Sequence, residues 1–276
     1  MKNSFIQMAQ FQRKSTLPYF VFLVLVQFSS VQGQTKENYS IHDETRPQPD
    51  IVDPSSFSLM ASPPSDAIVL FDGTSLSEWV SSRKDRKKAN WLIKDQYFEV
   101  TQKTGGIQTF KNFGNVQLHI EWASPEKIEG KGQGRGNSGV FFMAKPGVSY
   151  GYEVQVLDSY ENLTYPDGQA AAIYGQYPPM VNASTQSGKW QTYDIIFIRP
   201  RFDETGNLVQ PAYLTVFHNG VLVHHNRELM GPTTHKVRTD YSAHPARLPI
   251  LLQDHGNPVR YRNIWVRDLE TFNLRD

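Results

Sequence analysis

"PILLQDHGNPVRYRNIWVRDLE", residues 249–270, carries two β-patterned runs around one turn. Leu251 and Leu252 begin an apolar strand, and Val259, Tyr261 and Trp265 keep up an alternating pattern afterwards. Period-two alternation belongs to a strand with one buried face, and the Gly-Asn-Pro between the runs is turn chemistry. The turn is nevertheless crowded. Gln253, Asp254 and His255 precede the glycine, and Arg260, Arg262 and Asn263 follow the proline. A bare connection needs none of these amide, carboxylate, imidazole and guanidinium groups.

The same β texture runs from Ser65 onward. In "VQLHIEW" (116–122), Val116, Leu118, Ile120 and Trp122 alternate with Gln117, His119 and Glu121. "SGVFFMA", "GYEVQVLD", "WQTYDIIFIR" and "AYLTVFHNGVLVHHN" behave alike, and the last holds Asn219-Gly220, a pair that accepts positive φ at both positions of a tight hairpin. No long stretch has helical periodicity, and no internal repeat points to a propeller. About ten to fourteen short strands predict an all-β, two-sheet antiparallel sandwich.

Bulk properties narrow the partners. The chain has 276 residues, with 28 basic against 27 acidic side chains and a net charge of +1. That balance gives no electrostatic footprint for nucleic acid, and the basic run at 83–88 reads as a solvated loop. There is no cysteine, which excludes disulfides, thiolate nucleophiles and thiolate metal sites. Lys2, Arg13 and Lys14 precede the apolar "LPYFVFLVLVQF" (17–28) and the small residues around Gly33, the pattern of a secretory signal over residues 1–33. It predicts a secreted or periplasmic product with no membrane association after cleavage. Residues 34–64 are polar, proline-bearing and without period, and read as a disordered linker. Residues 65–272 form the globular domain.

Polar residues gather on several strands of this domain. Asn137 lies among glycines at 134–139, where another group can approach the backbone closely. Glu153 and Gln155 share one strand face, with Asp158 at its end. Tyr174, Lys189, Gln253 and Arg262 add further hydrogen-bonding groups, the set that a sugar's hydroxyls and apolar faces require. Each has a plainer reading too. Glu153 fits an ordinary exposed strand position, His255 a turn cap, and Arg260 and Arg262 surface cover.

Taken in order, "IVLFDGTSLSEWV" (68–80), "GNSGVFFM", "GYEVQVLDSY", "AAIYGQYPP", "GKWQTYDIIF" and the closing Leu-Gln-Asp-His-Gly segment resemble the 3-keto-disaccharide hydrolase domain family over residues 66–270. The resemblance implies a concanavalin-A-like jelly roll. It also implies an enzyme, secreted or periplasmic, that cleaves 3-keto-glycosides or 3-keto-disaccharides by C2 proton abstraction and elimination or hydration. Such chemistry needs a base, an acid for the leaving oxygen and a group to stabilise the oxyanion. Glu153 and His255 are candidates for the first two, and Arg260 or Arg262 for the third. A divalent metal ion shared by Glu121, Asp158 and His255 is an alternative means of polarising the ketone. Two other functions stay open: a conventional glycoside hydrolase on the same fold, and a non-catalytic carbohydrate-binding module.

Overall fold

The structure, a computed structural model, describes residues 39–145, 147 and 151–271. The predicted signal segment therefore lies outside the described residues. Among the described residues seventeen short strands follow one another: β1 (Asp50–Ile51), β2 (Ile68–Phe71), β3 (Trp79–Ser81), β4 (Leu92–Lys94), β5 (Tyr97–Glu99), β6 (Ile107–Thr109), β7 (Val116–Ala123), β8 (Ser138–Phe142), β9 (Tyr152–Val156), β10 (Val181–Asn182), β11 (Trp190–Ile198), β12 (Arg201–Phe202), β13 (Leu208–Gln210), β14 (Tyr213–His218), β15 (Val221–Glu228), β16 (Leu251–Leu252) and β17 (Arg260–Asp268). Helix is confined to three single 3₁₀ turns among the described residues.

Two antiparallel sheets make the predicted sandwich. One has eight strands in the order β15-β14-β11-β7-β17-β5-β4, with β2 also paired to β17, and the other runs β3-β6-β16-β8-β9. The core lies between them. Leu118, Ile120 and Trp122 of β7 and Tyr193, Ile195 and Phe197 of β11 belong to one buried cluster with Val140, Phe142, Tyr152 and Val154 of the smaller sheet. Each such side chain contributes roughly 1.5–3 kcal/mol by leaving water, so the alternating pattern dictates which face turns inward. The hairpin at Asn219-Gly220 forms as expected, with φ of 52° and 77°.

The two runs of the 249–270 stretch enter different sheets. β16 pairs with β6 and β8 in the small sheet, whereas β17 sits between β7 and the β2/β5 strands of the large one. The crowded turn is a crossover from one layer to the other. A second feature escapes simple alternation. Tyr261 and Ile264 both enter the core although three residues apart, because β17 shifts register against β7 between Arg262 and Trp265. This β-bulge includes Asn263 at φ 43° and turns Trp265 outward onto the His119 ring, 5.1 Å away.

Residues 39–64 pack along the domain. Arg46 is buried and donates to the Gln176 carbonyl at 3.3 Å, β1 pairs in parallel with β10, and the Met60 N–H donates to the Glu121 carboxylate. This path has no sequence period because side chain–backbone bonds hold it.

Candidate functional site

The outer face of the small sheet carries the site. Along β9, Tyr152, Val154 and Val156 point to the core, so period two sends Glu153 and Gln155 to the opposite face. Glu153 stands opposite Phe141 of β8, and Gln155 opposite Gly139. The glycine is required there. A Cβ on Gly139 would lie 2.4 Å from Glu153 Oε1 and 2.8 Å from the Phe141 ring.

These residues open into a cavity of about 280 Å³ lined by Asn137, Phe141, Glu153, Gln155, Tyr174, Thr233, Thr234, His235, Gln253 and His255. Its amides are fixed in place. Gln155 Nε2 donates to Asn137 Oδ1 at 3.1 Å, and Asn137 Nδ2 donates to the Gln133 carbonyl at 2.8 Å. The Gln253 N–H donates to the Gly139 carbonyl, and its own carbonyl accepts from Ser138 Oγ at 2.6 Å. Asp254 holds the crossover by accepting from the N–H groups of Gly105 and Gly256, each at 3.0 Å. His255 stands exposed at the mouth.

Glu153 differs from every other polar group there. It is only 4% exposed, and no hydrogen bond or ion pair to its carboxyl group exists among the described residues. Burial without a compensating partner pushes its pKa up to about 8. Near neutral pH the group therefore stands close to its titration point, where a carboxyl can both accept and return a proton.

One wall was only partly foreseen. Tyr174, expected from the sequence, lies in the loop after β9, and Thr233, Thr234 and His235, which were not, belong to the polar segment after β15. The Tyr174 hydroxyl lies 3.3 Å from His235 Nδ1 and 2.9 Å from the Tyr165 hydroxyl. The His42 ring rests on Tyr165 at 3.9 Å, and its Nδ1 lies 3.3 Å from Asp167 Oδ1. His42 adopts φ 60°. None of these loop residues lies on a segment with a strand period, so alternation gave no signal for Thr233, Thr234, His235 and His42.

Of the predicted site residues, Asn137, Glu153, Gln155, Tyr174, Gln253 and His255 converge on the cavity. Arg260 and Arg262 do not, because the crossover carries them to the large sheet. Arg260 donates to Glu126 at 2.9 Å and to the carbonyls of Ser124 and Gly188. Arg262 faces Glu121 across β17 and β7, pairs with it at 2.7 Å and lies 4.1 Å from the centre of the Trp190 ring. Lys189 is exposed on the same sheet, at the start of β11. Asp158 is clamped by Arg135 through contacts of 2.9 and 3.1 Å. The ligands expected for a divalent ion thus lie apart, with Glu121 on one sheet, Asp158 in an ion pair and His255 at the cavity mouth. Among the described residues no group of three His, Asp or Glu side chains could hold such an ion.

The chain matches, over residues 66–267, the family described as the 3-keto-alpha-glucoside-1,2-lyase-like domain. It belongs to that family. A 3-keto-disaccharide hydrolase of Bacteroides thetaiotaomicron is 26% identical over 243 residues, covering 74% of this chain and 78% of that protein. A candidate glycosyl hydrolase from Parabacteroides distasonis, solved by crystallography, is 43% identical with a TM-score of 0.69, covering 75% of this chain and 85% of its own. A second solved candidate glycosyl hydrolase of that organism, at 18% identity and a TM-score of 0.52, shares the fold. In this 3-keto-glucoside lyase-like domain, the Glu-x-Gln of β9 and the Gln-Asp-His crossover supply the cavity. The Arg-Tyr-Arg-Asn that follows serves the opposite sheet.

Proposed function

We infer that the cavity cleaves the glycosidic bond of a 3-keto-glycoside by eliminating across C1 and C2. The observation that carries this reading is that Glu153 is the one carboxylate among the described lining residues, and it is buried and unpartnered. A ketone at C3 acidifies the C2 hydrogen. Glu153 removes that proton, the enediolate forms on O3, and the C1 substituent leaves with a proton from an imidazole at the cavity mouth. The amides of Asn137, Gln155 and Gln253 line the space where a ring's hydroxyls and developing oxyanion would sit, and Phe141 supplies an apolar floor. Water adding across the new double bond would complete a hydrolysis.

Conventional glycosidases need a second carboxylate about 5–9 Å across the bond, and this cavity's other polar groups are amides, hydroxyls and imidazoles. The single carboxyl therefore favours the keto route. A buried carboxyl without a partner in such a cavity supports an enzyme over a binding module on the same fold. The family match and the names of its relatives point the same way.

The test is product analysis of the full chain with a 3-keto-glucoside and its parent glucoside side by side. Aglycone release from the keto form alone is expected. Cleavage of the parent sugar would replace this reading with ordinary glycosidase chemistry, and binding without product would leave a carbohydrate-binding module. The signal pattern at residues 1–33 directs this activity outside the cytoplasm, to be checked by fractionation of the native host.

A further inference from the structure

Two imidazoles line the cavity mouth, and they are held very differently. His255 is exposed, and no side-chain hydrogen bond to it exists among the described residues. His235 is tethered. Its Nδ1 lies 3.3 Å from the Tyr174 hydroxyl, which in turn lies 2.9 Å from the Tyr165 hydroxyl. Behind them the His42 ring sits 3.9 Å from Tyr165, 5.0 Å from Tyr174 and 5.7 Å from His235. Asp167, 1% exposed, accepts from the His42 N–H at 3.0 Å and meets the His42 ring as well. His42 holds an uncommon left-handed backbone at φ 60°, a conformation kept only where its surroundings dictate it. Four side chains from two separated segments thus stand behind one ring at the cavity.

We propose that His235, aimed by the Tyr174 hydroxyl, is the proton donor to the departing glycosidic oxygen, with Tyr165, His42 and Asp167 as the positioning residues behind that pair. The proposal rests on the elimination reading above. With Nδ1 engaged by Tyr174, Nε2 is the nitrogen left for substrate. Protonated His235 passes its Nε2 proton to the leaving oxygen as the C1–O bond breaks. The electron pair that forms the C1–C2 double bond comes from the C2–H bond, whose proton Glu153 has taken. In the hydration step the neutral imidazole takes a proton from the water adding at C1, and Glu153 returns its proton to C2. Both groups end as they began.

The surroundings suit a donor. His235 is exposed at the cavity mouth, and the desolvation there together with the neighbouring His42, Lys236 and His255 lowers its pKa, so its protonated form gives up the proton readily. A donor must also be positioned before it can act; both imidazoles are exposed, and only His235 has a tether that meets that requirement.

Leaving-group dependence tests the assignment, since a nitrophenolate departs without protonation and an alkoxide does not. The full-length protein, H235Q, Y174F, H255Q and E153Q would each be assayed on nitrophenyl and methyl 3-keto-glucosides. H235Q is expected to lose about 10²–10⁴-fold on the methyl substrate and under tenfold on the nitrophenyl one. Y174F should show the same selectivity with a smaller loss, and E153Q should fail on both. An unchanged methyl-to-nitrophenyl ratio in H235Q, or the selectivity appearing in H255Q instead, would overturn the proposal alone. A wild-type protein that cleaves neither keto substrate would remove the elimination reading and the proposal with it.

Discussion

Glu121 and Glu153 occupy matching stations in the two layers. Each is a glutamate on the outward face of its strand, β7 inside the large sheet and β9 at the edge of the small one, and each is almost wholly buried, at 0% and 4% exposure. Their surroundings are opposite. Burial alone would raise the Glu121 pKa, but the His119 ring 3.8 Å away and bonds from Asn263, the Met60 N–H and Arg262 overcome it and hold the group at about 2. Glu153 has burial and no partner, and rises to about 8. The same side chain becomes a structural anion in one sheet and a proton-transfer group in the other, by environment alone. Glu121 has been neutralised by its neighbours, and Glu153 has been left unfinished for a substrate.

The contrast makes graded predictions. The largest effect belongs to E153Q, which should lower kcat/KM on a 3-keto-glucoside by at least about 10²–10⁴-fold while the protein stays folded, read by steady-state kinetics beside a thermal melt. Unfolding or retained activity would end the proposed division of labour. Next comes E121Q, which leaves Arg262 without its carboxylate partner and His119 with Asp194 alone. It should cost about 3–5 kcal/mol in urea unfolding, with the kcat of the folded fraction unchanged.

Acidity gives the third comparison. Between pH 4.5 and about 8 the folded state holds a Glu153 proton that the unfolded chain has released, so this group's contribution to stability falls as pH rises. Urea midpoints of E153Q should fall less than those of the wild type across that window, while wild-type kcat/KM on a nitrophenyl 3-keto-glucoside, whose departure needs no protonated imidazole, climbs toward pH 8. The Glu121 contribution runs the other way, present above pH 4.5 and lost as pH falls through about 2. His119 is opposed by burial but held protonated to about 9 by Asp194 and Glu121, so its share is full below pH 6.5 and lost as pH rises through about 9. The smallest effect is expected for R260Q. Its bonds to Glu126, Ser124 and Gly188 all lie on the large-sheet side. A modest loss of stability with kcat/KM within about twofold is expected, and a catalytic loss rivalling that of E153Q would return Arg260 to the site.

Strand periodicity carried most of the fold and half of the site. It assigned the core faces of β7 and β9, the Asn219-Gly220 hairpin, and the shared outward face of Glu153 and Gln155. It could not say that β16 and β17 lie in different sheets, because alternation is the same in either layer. Arg260 and Arg262 were misplaced for that reason, and the Asn263 bulge reversed Trp265 by inserting one residue into the count. His42, Tyr165, Asp167 and His235 lie on irregular segments whose conformation depends on partners distant in sequence, and residues 39–61 left no local signature for the same reason.

The position of β17 also governs when this chain can fold. Its residues 260–268 are the neighbour of β7 on one side and of β2 and β5 on the other, so Ile264 lies opposite Phe71 from the other end of the domain. Until that last segment has been synthesised, three strands have an open edge and the cavity lacks its finished crossover. Pairings between such distant residues demand loop closure before they contribute, which slows folding. The large sheet is therefore completed only once residues 260–268 are available to join β7 to β2 and β5.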